Sequence, residues 1–443
     1  MRVSTSKAMH RLYSSLRFLE SDDTARLVRE PRMRDGALPA HLVRAPAIGV
    51  IMKTVVIVFT LLASAVPARA APAGAHEVEL TWFSIANWYF KLGDVRILMD
   101  GYITRVPQRI FVPAPPADTF AFTSQPWPVD VPAVLQVRDA LTADGRIDYL
   151  LAGHSHFDHT YDTPTWAAVT GAPIIGGIST CYQAQAQGIP ASQCRVVSGS
   201  WLASQPHDRL LLGGGVTLRV VRFNHSGNVS NPLQHFAREL SGPPVPDPVT
   251  GGWRAGVGED FPNGGGGRAF LITVDNPGGP ISFFVNNSAS AFDLDKSIVV
   301  NGVDYGSPLS NLAGAMADAG LTQVDAWIGT GGLPVASLVV PVIHPKAYIP
   351  NHWDGLFNPF LPGMPFPFKD AALQAYLAAQ GIQFLPQSQY FDTYRIDVNG
   401  ISMTPNHSVK QKLGFSDVQQ FAPATAALAA SVSTTVSPED CDQ

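Results

Sequence analysis

Apolar residues fall along this chain in short runs of strand composition and longer runs of helical composition. Val78 to Ile85 reads as a strand, and Trp88-Tyr89-Phe90, Leu92-Gly93-Asp94 and Val95 to Met99 follow as strand, turn and strand. Further strand-like runs lie at Ile147 to Ala152, Pro173 to Ile175, Val216 to Phe223, Ala269 to Val274, Ile281 to Val285 and Tyr394 to Val398. Helical runs lie at Val134 to Ala143, Leu309 to Ala319, Ala336 to Ile343 and Asp370 to Gln380, and another helix is expected from Thr163. Strands dominate the first half and alternate with helices in the second, which predicts layered α/β structure rather than a bundle or a pure sandwich.

Three stretches interrupt this pattern. Phe111 to Val131 is rich in Pro and Phe, which excludes regular helix and predicts a long loop over one face. Residues 230–267 are crowded with Gly and Pro and end in GGGG, and residues 359–368 read PFLPGMPFPF. They are expected as insertions near 111–131, 230–267 and 359–368 in one domain spanning 71–421. Residues 422–443 form a low-complexity tail expected to be disordered.

The N-terminal region reads as targeting sequence. Residues 52–70, MKTVVIVFTLLASAVPARA, join a short basic start, an apolar run and the small-x-small end Ala68-Arg69-Ala70, so cleavage is expected before Ala71. The run is short of the about 20 residues that span a bilayer, so no stable membrane span is expected and a membrane anchor is the weaker alternative. The Arg-rich residues 1–51 are expected to be an extension created by start-site choice, with translation beginning at Met52. A periplasmic or secreted location follows.

Removing residues 1–70 changes the charge from −5 to −11, with 19 basic against 30 acidic residues. An acidic surface repels phosphate backbones, which argues against a nucleic-acid partner. Of three cysteines, Cys181 and Cys194 flank a short polar segment, where a disulfide is expected in an oxidising compartment; two free buried thiols are the alternative. Cys441 is left over in the tail, and no C-x-x-C spacing points to metal.

The chemistry concentrates in His154-Ser155-His156-Phe157-Asp158-His159, directly after the apolar run Ile147 to Ala152. Side chains two apart in an extended chain point to one side, so His154 and His156 can grip one ion, while consecutive Asp158 and His159 diverge toward a neighbouring ion. Imidazole nitrogen and carboxylate oxygen are good zinc ligands. Iron or manganese would suit the same N and O donors.

H-x-H-x-D-H after a strand resembles the signature of the metallo-β-lactamase superfamily. The resemblance implies a four-layer αββα metallo-β-lactamase sandwich, with metal at one edge of the two sheets. It also implies two ligand sets: His154, His156 and His225 for a first metal, and Asp158, His159 and His352 for a second. His225 follows the strand Val216 to Phe223, with His207 and His235 as competitors, and His352 stands in KAYIPNHWDG. Many relatives carry a bridging aspartate after a later strand; here Ile281 to Val285 is followed by Asn286-Asn287-Ser288. Asn287 and Ser288 are therefore the candidates for the bridging position, and weaker holding of the second metal is expected. Asp293 and Asp295 could replace the carboxylate only from an altered loop.

The implied cofactor is Zn2+, one or two ions, with a metal-bound water of pKa about 7 as nucleophile and Asp158 orienting it. No G-x-S-x-G motif offers a serine nucleophile. Ile349-Pro350-Asn351-His352-Trp353 resembles the branch of ascorbate-phosphate lactonase and N-acyl-phosphatidylethanolamine phospholipase D. The expectation is an exported hydrolase of a small-molecule ester, lactone or phosphodiester, and the Phe- and Pro-rich loops favour an apolar or acyl-bearing substrate. A β-lactamase and a non-catalytic exported metal-binding protein are the alternatives.

Overall fold

The computed structural model describes residues 76–106, 126–197, 208–225, 239–254, 261, 267–297, 299–300, 303–357, 360, 363–397 and 399–415. The expectations for residues 1–51, 52–70 and 422–443, for His207 and His235 and for much of the three insertions lie outside them. Contacts divide the chain at Ala68, and the described residues all belong to the unit Arg69–Gln443.

Two sheets carry this unit. The first orders its eight strands as Gly400–Pro405, Asp392–Asp397, Val78–Trp82, Trp88–Leu92, Val95–Met99, Tyr149–Leu151, Ile174–Gly176 and Cys194–Val196. The second orders seven as Gln383–Phe384, Ala347–Pro350, Ala326–Gly329, Ile281–Asn286, Arg268–Val274, Val216–Arg222 and Asp208–Gly213. Each is antiparallel in one half and parallel in the other, the switch falling after Val95–Met99 in the first and at Ile281–Asn286 in the second.

Side-chain alternation explains the layering. Phe270, Ile272, Val274, Phe283 and Val285 join Val78, Leu80, Phe90 and Leu98 of the first sheet in one apolar cluster. Their neighbours Ala269, Leu271 and Phe284 point the other way, into a second cluster with Leu312, Val339 and Leu373 of the helices Pro308–Ala319, Gly332–Ile343 and Ala371–Ala379. No residue of the first sheet enters that second cluster, so these helices cover the far face. Helices Val131–Leu141, Thr163–Thr170, Ile178–Ala186 and His407–Leu413 pack on the first sheet through Val134, Trp166, Ala184 and Val409. The result is the expected αββα arrangement.

Several boundaries differ from the sequence reading for identifiable reasons. The strand expected to reach Ile85 ends at Trp82, because Ser84 and Ile85 turn to φ values of 91° and 50°. The loop expected through Val131 ends sooner: Pro126–Trp127 pairs with Trp253–Arg254, and Asp130 caps Val131–Leu141 by accepting from Ala133 N at 3.1 Å. Within the expected insertion 230–267, Glu239 is buried against Arg268 at 3.2 Å and accepts from Ile178 N at 2.8 Å. That segment therefore helps to hold the helix Ile178–Ala186, which no periodicity announced. Phe360 stacks on Tyr390, and Phe366 and Phe368 pack against Trp353. The structure joins Cys181 to Cys194 by a disulfide with Cα atoms 5.7 Å apart, linking that helix to the strand Cys194–Val196. Among the described residues no helix is long and apolar enough to cross a membrane.

Candidate metal centre

Five strands deliver polar residues to one edge of the two sheets. Val95–Met99 leads to Asp100, Tyr149–Leu151 to His154, Val216–Arg222 to His225, Ile281–Asn286 to Asn287 and Ala347–Pro350 to His352. After His156 the chain turns into the short helix Phe157–Thr160, which carries Asp158 and His159.

Two groups of ligand-bearing side chains result: His154, His156 and His225, and Asp158, His159 and His352, the ligand atoms of each lying within 4.8 Å of one another. His225 Nε2 lies 3.2 Å from His154 Nε2. His352 Nε2 lies 3.1 Å from both Asp158 Oδ2 and His159 Nε2, and the last two are also 3.1 Å apart. The groups are neighbours, since the His154 and His159 rings have centroids 3.9 Å apart.

The hydrogen bonds behind the rings fix which nitrogens face inward. Asp100 can only accept. Its Oδ2 takes His159 Nδ1 at 2.8 Å and Asn287 Nδ2 at 2.8 Å, and its Oδ1 takes Gly153 N at 3.1 Å. With Asn287 Nδ2 facing Asp100, the Asn287 carbonyl oxygen faces His154 Nδ1 at 3.2 Å, so that nitrogen carries the proton and Nε2 presents a lone pair to the centre. Asn287, expected at the bridging position, thus has both polar atoms turned to the Nδ1 edges of the histidines. Its neighbour Ser288 is buried on the same loop and belongs to neither ligand group. Asp293 is engaged elsewhere, accepting from Asn224 Nδ2 at 2.6 Å, and Asp295 is exposed.

Close packing enforces the arrangement. A Cβ on Gly153 would stand 2.0 Å from Asn287 Nδ2, so only glycine lets that amide reach between Asp100 and His154. Gln183 of the disulfide-linked helix donates to Ser155 O at 3.1 Å and accepts from Thr160 Oγ1 at 2.8 Å, gripping the motif from behind. His352 adopts φ 56°, and its N–H donates to Ile85 O at 3.1 Å. Asp354 steadies that contact by accepting from Ile85 N at 2.8 Å and from Ser84 and Tyr390 hydroxyls at 2.5 Å each.

Electrostatics divide the site into a neutral and a charged side. Burial, reinforced by the charges of His159, His225 and His156, pushes His154 well below the ordinary histidine range and keeps it a neutral donor. Burial alone would lower His159 too, but Asp158 and Asp100 outweigh it and raise it to about 10. For Asp158 burial works upward, and the opposing His159 and His352 hold it well below the usual carboxylate range. The field that draws a proton to His159 draws a metal cation equally.

The residues fit a metal. Around a tetrahedral zinc with bonds of about 2.0–2.1 Å, ligand atoms stand about 3.3 Å apart, close to the 3.1 and 3.2 Å found between donor atoms here. On the neutral side His154 and His225 turn ring nitrogens toward each other at 3.2 Å, where two lone pairs repel unless a proton or metal cation lies between them.

No family model matches the chain. It is 24% identical over 155 residues, 35% of its length and 54% of the relative's, to a UPF0173 metal-dependent hydrolase of Pyrobaculum islandicum. It is 23% identical over the same shares to a counterpart from Pyrobaculum arsenaticum. The chain thus spans about half the length of the curated relatives it matches. Among solved structures, Igni18, a metallo hydrolase of Ignicoccus hospitalis, matches with TM-score 0.38 at 13% identity over 72% of this chain and 99% of that one. An isothiocyanate hydrolase from Delia radicum gut bacteria matches with TM-score 0.39 at 12% identity over 71% and 98%. The sequence likeness is thus to metal-dependent hydrolases over about a third of this chain, and the αββα architecture with the H-x-H-x-D-H motif at its edge is that of the metallo-β-lactamase fold.

Proposed function

We propose that this chain is a metal-dependent hydrolase holding one or two zinc ions, His154, His156 and His225 serving the first and Asp158, His159 and His352 the second. The observation that carries this reading is the convergence of six buried or half-buried donor side chains in two adjacent groups, with the far edges of His154 and His159 already committed to Asn287 and Asp100. The likeness to metal-dependent hydrolases of Pyrobaculum points the same way. Bound zinc supplies Lewis acidity, polarising a carbonyl or phosphoryl oxygen and bringing the pKa of water to about 7. The protein's part is orientation. His154 stays neutral, and Asp158 stays ionised, so that its free oxygen can orient a water molecule by accepting its hydrogen bond.

The substrate on this reading is a small molecule with an ester, lactone or phosphodiester-type bond. Trp353, next to His352, packs against Phe366 and Phe368, and Phe366 is 43% exposed. Aromatic residues adjoining His352 in this way would, bordering the site, favour an apolar or acyl-bearing substrate, in keeping with the resemblance of Ile349 to Trp353 to the lactonase and phospholipase D branch. Export to the periplasm or medium is part of the proposal; the signal-like residues 52–70 and the Cys181–Cys194 disulfide support it.

Metal analysis of the purified protein, joined to a hydrolysis screen over lactones, carboxyl esters, phosphodiesters and β-lactams, tests the proposal. Zinc near one or two equivalents and turnover lost in His156→Ala are expected. Absence of bound metal, or activity unchanged in that variant, overturns it.

A further inference from the structure

Beside the centre lies a cation that the hydrolytic machinery leaves unused. Arg105 has φ 52°, a left-handed value uncommon outside glycine, and shares it with Ser84, Ile85, Asp100 and His352 around the same edge. Such backbone strain collects where surrounding structure over-determines a functional geometry. The Arg105 guanidinium carbon lies 5.2 Å from the Tyr102 ring and 5.7 Å from the Phe360 ring, within cation–π reach of both. Its Nη2 donates to Ser84 Oγ. Ser84 donates onward to Asp354, whose other oxygen holds Ile85 N, and the Ile85 carbonyl accepts the His352 N–H. The guanidinium is thereby anchored to the loop that carries His352.

That anchor uses one nitrogen only. Among the described residues Arg105 Nε and Nη1 are buried without a hydrogen-bond partner, an unfavourable state for donors of an ionised group. The carboxylates nearby do not serve them. Asp354 accepts from Ser84, Ile85 and Tyr390, and Asp162 accepts from Ile103 N and from the Thr104 N–H and hydroxyl. A residue needed only to brace Ser84 would not require two further donors of a cation in that place.

We infer that Arg105 is a specificity-determining residue: its Nε and Nη1 receive an anionic group of the substrate, a carboxylate or a phosphate, beside the metal centre. The word substrate rests on the hydrolase reading, but anion binding does not. A substrate of this kind carries its charged end on Arg105 while the scissile bond lies at the histidines. The burial of these nitrogens strengthens such a charge-assisted contact.

Calorimetric titration of the zinc-loaded full chain with inorganic phosphate and, separately, with acetate tests this without any turnover and distinguishes the two anion classes. The expected result is saturable binding of at least one anion, weakened tenfold or more in Arg105→Gln and less in Arg105→Lys. Labelling of wild-type protein with phenylglyoxal, read by mass spectrometry of the Arg105 peptide, gives a second measurement independent of variant folding. Phosphate or acetate, whichever binds, should slow that labelling at least fivefold. No anion binding by wild type, equal binding by both variants, or an Arg105 peptide that the anion does not protect would each overturn the inference. If binding holds while the hydrolysis screen stays empty, the hydrolase reading fails and the anion site stands.

Discussion

Replacing Asp100 by Asn should weaken metal binding at both groups although Asp100 belongs to neither. Its three hydrogen bonds, to Gly153 N, His159 Nδ1 and Asn287 Nδ2, are buried and at 2.8–3.1 Å. An amide can keep one oxygen acceptor but turns a donor toward the remaining partners, so His159 loses the group that directs its Nε2 inward. Asn287 loses the acceptor that fixes its orientation, and with it His154 loses its Nδ1 partner. Substitutions behind metal-binding histidines reduce affinity by about 10–100-fold, or about 1.4–2.7 kcal/mol. Competition of zinc between the protein and a chromophoric chelator at pH 7 measures this, with thermal unfolding of the metal-free protein run in parallel. An Asp100→Asn protein that melts lower but competes for zinc as well as wild type would refute the reasoning, because Asp100 would then be only an acceptor for the Gly153 backbone.

Other predictions follow from the same contacts. Gly153→Ala places a methyl group 2.0 Å from the Asn287 amide nitrogen, so stability should fall by about 1–3 kcal/mol and zinc affinity with it, both visible in chelator titrations; unchanged values would mean that Asn287 has room to move. Burial raises Asp162 to about 6 against the offsetting bonds from Thr104 and Ile103. Between the unfolded value near 3.8 and 6 the folded state binds the proton that the unfolded state has released, so stability falls as pH rises, by about 3 kcal/mol in all. Asp162→Asn should remove that slope in urea unfolding from pH 4 to 7, and a parallel pair of curves would exclude it. Reducing the Cys181–Cys194 disulfide, which closes a separation of 13 residues, should lower stability by about 3 kcal/mol, with the largest gain in amide exchange at helix Ile178–Ala186 and at Ser155.

The parts of this protein that were legible in its sequence are those whose signal is local. One apolar strand followed by four metal-competent side chains in six positions stands out without knowledge of the fold, and so do the long buried strands around Phe270 and Phe283. Strands Ala326–Gly329 and Ala347–Pro350 carry no period of their own, because four fully buried residues show no alternation, and only the resemblance around His352 points to the second. Helix Ile178–Ala186 leaves little local signal because what ties it down is distant: Glu239 accepts from Ile178 N sixty-one positions away, and the disulfide joins Cys181 to Cys194. Asp100 followed a strand as an Asp-Gly pair, which reads as a turn; nothing in its neighbourhood reports that it meets Asn287, 187 positions away.

The same long-range geometry changes what Asn287 implies. By resemblance, an asparagine where relatives place a bridging aspartate signals a weakly held second metal, and restoring the carboxylate should strengthen it. In this structure Asn287 Nδ2 donates to Asp100 at 2.8 Å, so Asn287→Asp would set two buried carboxylates against each other and remove the donor that orients the site. Like charges about 3 Å apart cannot both ionise, and one proton must be retained at the expense of stability. The expected outcome is a protein less stable by roughly 1–3 kcal/mol, with zinc stoichiometry no higher than wild type by metal analysis after gel filtration. A tighter second zinc in Asn287→Asp would show that the side chain can swing inward to bridge, and would end the assignment of residue 287 as the group that orients His154.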